Sequence, residues 1–255
     1  MRFALDMCNP FGHALSDQRV WCYLPASNPG EGQRLSDVQV SMPHQKLTDP
    51  LGHQILLLEL DTVAPYAQKR VSVTTLVETD PLHTSTALNN PAPWLHAERF
   101  IESDAPRIQR LARQLQSSTS ALTVRAIYEW VQTNLRYAGY IAEDLGALYA
   151  LDSGGGDCTE YADLVVALAR AAGIPARMIG GYVADRDKAV RPQDYHNWAE
   201  VFFDGRWQIV DAQKENWLPT QGNYIAFRIY RDIAINSIGL AHRFHVGGSL
   251  AVVLK

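Results

Sequence analysis

Three groups that can do covalent chemistry follow one another in the chain: the Cys158 thiol, the His196 imidazole and the Asp211 carboxylate. In this order they match a nucleophile, its general base and the residue that orients the base. Taken singly, a cysteine among alanines and leucines is most often an inert core thiol. The joint pattern, with local structure suited to each role, favours acyl transfer on a cysteine.

The element predicted to position Cys158 is a buried helix. Residues 160–172 are mostly Ala, Leu and Val, and Gly173 and Pro175 provide a stop signal. Asp157 and Glu160 have the spacing of a capping box, so Cys158 is the first helical residue. The helix N-terminus favours a thiolate and offers N–H groups to an oxyanion. Since the two acidic neighbours oppose a thiolate, the sequence predicts an imidazolium partner.

A β-hairpin is predicted to position the other two groups. Residues 196–203 and 206–210 are strand-like, and Asp204-Gly205 between them is a strong two-residue turn signal. The resulting register pairs Phe203 with Arg206 and places Asp211 diagonal to His196 on the same sheet face. A slip of one residue would move Asp211 to the opposite face.

These segments closely resemble the core of the transglutaminase-like superfamily, over roughly Ala121 to Gln213. The resemblance implies that Cys158 is the nucleophile, His196 the general base and Asp211 its orienter. One departure is Ala212-Gln213, where many relatives have a proline after the aspartate; it leaves the three groups untouched. The residues that carry the resemblance are Gly156–Ala162, Ala167–Arg177, Gly181-Tyr182, His196–Val201 and Gly205–Asp211.

The resemblance implies an α+β fold, a papain-like or transglutaminase-like core with the nucleophile helix packed on an antiparallel sheet. Short strands and turn signals before about residue 82 predict a small β-sandwich-like domain in front of it. The predicted organisation is therefore a β-rich domain at 1–82, a linker at 83–94 and a catalytic domain at 95–255.

The expected activity is acyl transfer on amide bonds through a thioester, most plausibly hydrolysis of a peptide or other amide. An alternative is a transamidase or amide synthase that passes the acyl group to an amine. A binding protein that keeps the fold without turnover is another. The Cys158 N–H with Tyr137 or Tyr140 is the candidate oxyanion site. Trp198 is a candidate substrate contact, although a core position is favoured for it.

Composition limits the partners and cofactors. A net charge of −4 without a basic block argues against nucleic acid. The first residues lack a signal-peptide pattern, and no apolar stretch approaches membrane-span length, so we expect a cytoplasmic protein without membrane contact. The pair His242 and His245 has no third ligand at a defined spacing, and no metal or other cofactor is expected. Cys8 and Cys22 are predicted to be reduced. The oligomeric state is left open.

Overall fold

The computed structural model describes residues 1–28, 32–80, 88–219 and 221–255. The chain forms two compact units. Unit 1 consists of Met1–Pro81, Gly181–Tyr195 and Gly222–Lys255, and unit 2 consists of Leu82–Gly180 and His196–Gln221. The predicted linker at 83–94 lies partly outside the described residues, and its described part contains a helical turn at Ala92–Trp94.

The elements are numbered in chain order. The strands of the first 80 residues are β1 Arg2–Cys8, β2 Leu15–Leu24, β3 Gln33–Val40, β4 Gln45–Thr48, β5 Gln54–Val63 and β6 Gln68–Thr79. The central elements are α1 Pro106–Leu115, α2 Ser120–Asn134, β7 Arg136–Tyr137, α3 Gly146–Ser153, β8 Gly155–Gly156 and α4 Cys158–Ala171. The remaining strands are β9 Ala176–Val183, β10 Tyr195–Phe203, β11 Arg206–Asp211, β12 Asn216–Trp217, β13 Tyr224–Ile229, β14 Phe244–Gly247 and β15 Ala251–Leu254.

Unit 1 is built on two antiparallel sheets, with strand orders β15-β1-β6-β3 and β14-β2-β5-β4. Alternate residues of β1, namely Phe3, Leu5 and Met7, are buried in a core shared with residues of the second sheet such as Val20 and Leu58. This alternation is what a strand with one buried face requires. The β-rich character predicted for the first part of the chain is confirmed.

Unit 2 combines helices with an antiparallel sheet in which β12, β11, β10 and β9 follow in that order. Helix α4 packs against α1, α2 and α3 and also contacts β11. Every residue of α4 from Thr159 to Arg170 is buried, which explains its almost unbroken apolar sequence. The predicted α+β class, with a buried central helix on an antiparallel sheet, is confirmed.

The end of α4 follows the predicted stop signal. Gly173 has φ +78°, a left-handed conformation that glycine adopts without strain. Its N–H donates to the Arg170 carbonyl at 2.9 Å, and the Ile174 N–H donates to the Ala169 carbonyl at 2.9 Å. These bonds satisfy carbonyls that a helix end leaves open.

The hairpin of β10 and β11 has the predicted register. Phe203 pairs with Arg206, and the ladder continues to Ala199 opposite Val210. Asp204 and Gly205 both have positive φ, 52° and 77°, as a two-residue turn that matches strand twist requires. Local turn chemistry therefore sets which residues of the two strands lie side by side.

Across the part of the chain that the structure describes, no helix is both long and apolar enough to span a membrane.

Candidate active site

The N-terminus of α4 presents Cys158 as its first residue. The Asp157 side chain accepts a hydrogen bond from the Thr159 N–H at 2.7 Å, and the Glu160 side chain accepts one from the Asp157 N–H at 2.9 Å. This is the predicted capping box, and it fixes the first turn of the helix. Cys158 is partly exposed, whereas Asp157 and Glu160 are buried.

The segment before the helix brings a second stretch of chain beside the thiol. Strands β7 and β8 pair in parallel, with Tyr137 beside Gly156. The Ile141 N–H donates to the second Asp157 carboxylate oxygen at 2.9 Å. A Cβ atom at Gly156 would collide with the Glu160 side chain, so only glycine fits there. The glycines thus permit the close approach predicted ahead of Cys158.

The hairpin brings His196 and Asp211 into direct contact. The His196 Nε2 lies 2.7 Å from the Asp211 Oδ2, and both residues are buried. Asp211 Oδ1 also accepts a hydrogen bond from the Lys214 N–H at 3.1 Å. Because an ionised carboxylate only accepts, it holds the proton on Nε2 and leaves Nδ1 as the basic ring nitrogen.

Residue 197 links the hairpin to the helix. The Asn197 side-chain Nδ2 donates to the Thr159 Oγ1 at 2.9 Å, and the Asn197 backbone N–H acts to lower the pKa of the Cys158 thiol. The predicted thiol, imidazole and carboxylate are therefore carried on elements of unit 2 that bond to one another. Sequence analysis did not single out Asn197 or Thr159, although Asn197 directly follows the predicted base.

The surroundings of Cys158 oppose the predicted thiolate. Burial, then the charge of Asp157, raises the pKa of the Cys158 thiol to about 12. Asp211 and Glu160 act in the same direction, and the Asn197 N–H opposes them. Desolvation and the nearby carboxylates therefore act against the thiolate that the helix N-terminus favours.

The three aromatic residues predicted to lie around the site differ in how far they are exposed to solvent. Tyr137 is 58% exposed. Desolvation raises the pKa of its hydroxyl most, and the charges of Cys158 and Asp157 raise it further. Tyr140 is 84% exposed. Trp198 is 1% exposed, and its ring stacks on His196 with centroids 6.2 Å apart. Trp198 therefore supports the imidazole and is not available as a substrate contact in this structure.

A buried carboxyl group lies further along the same helix. Asp163 is 1% exposed, and neither of its carboxyl oxygens has a hydrogen-bond partner among the described residues. Burial first, and then the charges of Asp144, Glu160 and Glu102, raise the pKa of Asp163 well above its ordinary value, while Arg170 opposes the shift. Burial therefore favours the neutral carboxylic acid form of Asp163.

A second buried ion pair supports the sheet. Arg177 of β9 donates to the Glu200 Oε2 through Nε at 2.9 Å and through Nη2 at 2.7 Å. The guanidinium lies 4.1 Å from the centroid of Trp207. Glu200 shares a strand with His196, and this ion pair joins that strand to β9.

The remaining candidate ligands and cysteines show no such arrangement. His242 Nδ1 lies 2.8 Å from the Tyr230 hydroxyl. Within the described ranges no group of three or more His, Cys, Asp or Glu residues is placed to hold a metal ion. Cys8, Cys22 and Cys158 are free thiols.

Comparison with known proteins shows a family similarity over part of the chain. The family model of the Transglutaminase-like superfamily matches residues 109–212. No curated protein matches the chain. A structure from Cytophaga hutchinsonii, solved as a candidate cysteine protease, is 21% identical, with a TM-score of 0.67; the match covers 100% of this chain and 89% of that chain.

The periplasmic domain of TgpA from Pseudomonas aeruginosa is also similar, at 19% identity with a TM-score of 0.43. That match covers 80% of this chain and 71% of that chain. The similarity to the Cytophaga structure shows a common fold.

The matched residues 109–212 include the helix that carries Cys158 and the hairpin that carries His196 and Asp211. Together these findings support a cysteine-based enzyme in the broad sense. Over residues 109–212, the chain is therefore similar to the transglutaminase-like superfamily.

Proposed function

We propose that the protein is a cysteine-nucleophile acyl-transfer enzyme that hydrolyses a peptide or other amide through a thioester. The observation that carries the proposal is the buried 2.7 Å contact between His196 and Asp211, next to the helix N-terminus that presents Cys158. An oriented base beside a partly exposed thiol is the arrangement that nucleophilic catalysis needs.

The first half of the reaction forms the acyl-enzyme. As the Cys158 sulfur attacks the amide carbonyl, its proton moves to His196 Nδ1, because the thiol is neutral at rest. The C–N bond then breaks, and the imidazolium returns the proton to the leaving amine. The products of this half are a thioester on Cys158 and a free amine.

The negative charge that develops on the carbonyl oxygen needs donors. The Cys158 backbone N–H at the start of α4 is one candidate. Tyr137 is the second candidate, favoured over Tyr140, because β7 pairs with the strand that directly precedes the helix. The same acidic surroundings that keep the thiol protonated would disfavour an oxyanion, so these donors carry much of the transition-state stabilisation.

The second half of the reaction releases the acyl group. His196 takes a proton from water, the resulting nucleophile attacks the thioester, and the carbon–sulfur bond breaks. The proton returns to the Cys158 sulfur, and a carboxylic acid leaves. An amine in place of water would give a new amide, and the overall reaction would then be a transamidation.

A trapped thioester tests the proposal. The full chain is incubated with a library of peptides and acylated amines, and intact-protein mass spectrometry searches for an acyl adduct on Cys158. Hydroxylamine should release the adduct. We expect no adduct with Cys158→Ala, and a normal adduct with Cys22→Ala, because Cys22 is buried in unit 1.

The acceptor is identified in the same experiment. Turnover in ¹⁸O-labelled water should place the label in the product acid, whereas an added primary amine should leave most product as acid. Amide as the main product would favour the transamidase. A library without any Cys158 adduct, together with equal alkylation rates of wild type and His196→Ala, would favour a binding protein and contradict the proposal.

A further inference from the structure

Asn197 is bonded to the first turn of α4. Its side-chain Nδ2 donates to the Thr159 Oγ1 at 2.9 Å, and its backbone N–H acts to lower the pKa of the Cys158 thiol. Asn197 is 4% exposed and Thr159 is 7% exposed. One strand residue, next to the candidate base His196, is therefore tied to the residue that follows the candidate nucleophile.

The Thr159 hydroxyl is available for this contact because capping uses a different group. The Thr159 backbone N–H bonds to the Asp157 carboxylate at 2.7 Å, and the hydroxyl oxygen accepts from Asn197. A buried side-chain hydrogen bond in a region of low dielectric is directional, and breaking it leaves a buried amide unpaired.

The side-chain bond joins strand β10 to the first turn of α4, one residue after the position of Cys158 and one residue after His196 in the strand. The Oδ1 atom of Asn197 has no partner among the described residues, so the amide is only partly satisfied and contributes less to stability than a fully bonded one would.

We propose that Asn197, acting through Thr159, is a positioning residue that holds His196 at its working distance from Cys158. The inference rests on the proposed function, in which proton transfer between the two residues starts the reaction. Proton transfer needs hydrogen-bond reach, and a misplacement of about 1 Å costs on the order of 100-fold in rate.

The test measures the alkylation rate of Cys158 by iodoacetamide against pH, in the full chain, with peptide mass spectrometry to isolate this cysteine. It needs no substrate. Wild type should show a rising limb that His196→Ala removes, because the imidazole assists the thiol by accepting its proton. Asn197→Ala and Thr159→Val should each lower this limb by about 10- to 100-fold.

Three comparisons separate positioning from general damage. Because the two side chains act as one contact, the double variant should be no slower than the slower single variant. Thr159→Ser keeps the hydroxyl and should recover most of the rate. Thr133→Val, at an exposed position of α2, is the matched control. Thermal unfolding of each variant reports on folding, so a rate loss in a folded protein is assigned to the site.

The outcomes also separate this inference from the proposed function. Wild-type profiles in Asn197→Ala and Thr159→Val, or losses that add in the double variant, would overturn the positioning role while His196→Ala still abolishes the limb. A wild-type profile in His196→Ala would overturn the proposed function itself. If Asn197→Ala does not fold, Thr159→Val decides the outcome, since it removes only the hydroxyl.

Discussion

The Nε2 atom of His196 and the Oδ2 atom of Asp211 lie 2.7 Å apart in the interior of unit 2, although the two residues are 15 positions apart in the chain. A turn of two residues, Asp204 and Gly205, brings the strands into the register that makes the contact possible. The contact fixes the imidazole ring and its tautomer, and the expected behaviour of the site follows from it.

Replacing Asp211 by Asn should separate orientation from charge. Asp211→Asn keeps the shape, yet its amide can donate to Nε2 and so favours the wrong tautomer. We expect kcat to fall by about 10⁴-fold with folding near normal. The matched control is Asp204→Asn in the exposed turn of the same hairpin, where asparagine tolerates the positive φ. Full activity in Asp211→Asn would leave a cysteine–histidine pair without an orienting carboxylate.

The Cys158 thiol should remain protonated through neutral pH. Its pKa is raised to about 12, so the ultraviolet absorbance difference between wild type and Cys158→Ala should show no thiolate step below about pH 9. A step in the acidic or neutral range that Cys158→Ala removes would instead establish the ion pair expected from the helix N-terminus alone. The titration thus decides between a resting thiol and a resting thiolate.

The buried acid Asp163 should make the protein less stable as pH rises. Its pKa is raised in the folded state, whereas an unfolded aspartate ionises near about pH 3.9. Above that pH the unfolded state binds fewer protons than the folded state, so the free energy of unfolding falls until the folded group also ionises. Each pKa unit of difference corresponds to about 1.4 kcal/mol.

Asp163→Asn should remove this part of the pH dependence, because the amide does not titrate. Urea unfolding at several pH values measures the pH dependence of the free energy of unfolding. Asp61→Asn, at an exposed position of β5, is the control. Parallel stability curves for wild type and Asp163→Asn would contradict a protonated Asp163. The groups that affect it are Glu160, Glu102, Asp144 and Arg170, all in unit 2.

Adding a methyl group at Gly156 should disrupt the start of α4. In Gly156→Ala the new Cβ collides with the Glu160 side chain, which closes the capping box. We expect a loss of about 1 to 3 kcal/mol in the free energy of unfolding, together with lower activity. Gly222→Ala is a suitable control, because among the described residues its Cβ would meet the Thr79 hydroxyl alone, at 3.5 Å. Wild-type stability in Gly156→Ala would show that the helix start can relax.

Features that depend on neighbours in the sequence could be predicted from it. The capping box of Asp157 and Glu160 lies within four residues, and the turn at Asp204 and Gly205 needs only the conformations of two. A strand period of two then carries the register from the turn to Asp211. The predicted His196–Asp211 contact needed no information about the rest of the chain.

The composition of unit 1 depended on pairings between distant segments. Strand β15 pairs with β1, and β14 pairs with β2, so the last part of the chain joins a unit built mainly from its first 80 residues. Strand pairing over such separations depends on the matching of whole sheet faces and edges. The shifts in amino-acid composition along the chain do not directly indicate which distant strands will pair.

The properties of the site that came only from tertiary structure are those set by desolvation and by contacts between elements. The order of Cys158, His196 and Asp211 and the local start of α4 were readable from the sequence. The raised pKa of Cys158 and the bond from Asn197 to Thr159 were not. The reason is physical: a pKa depends on how much water is excluded and on all nearby charges, and both are fixed only when the helix and the hairpin pack together.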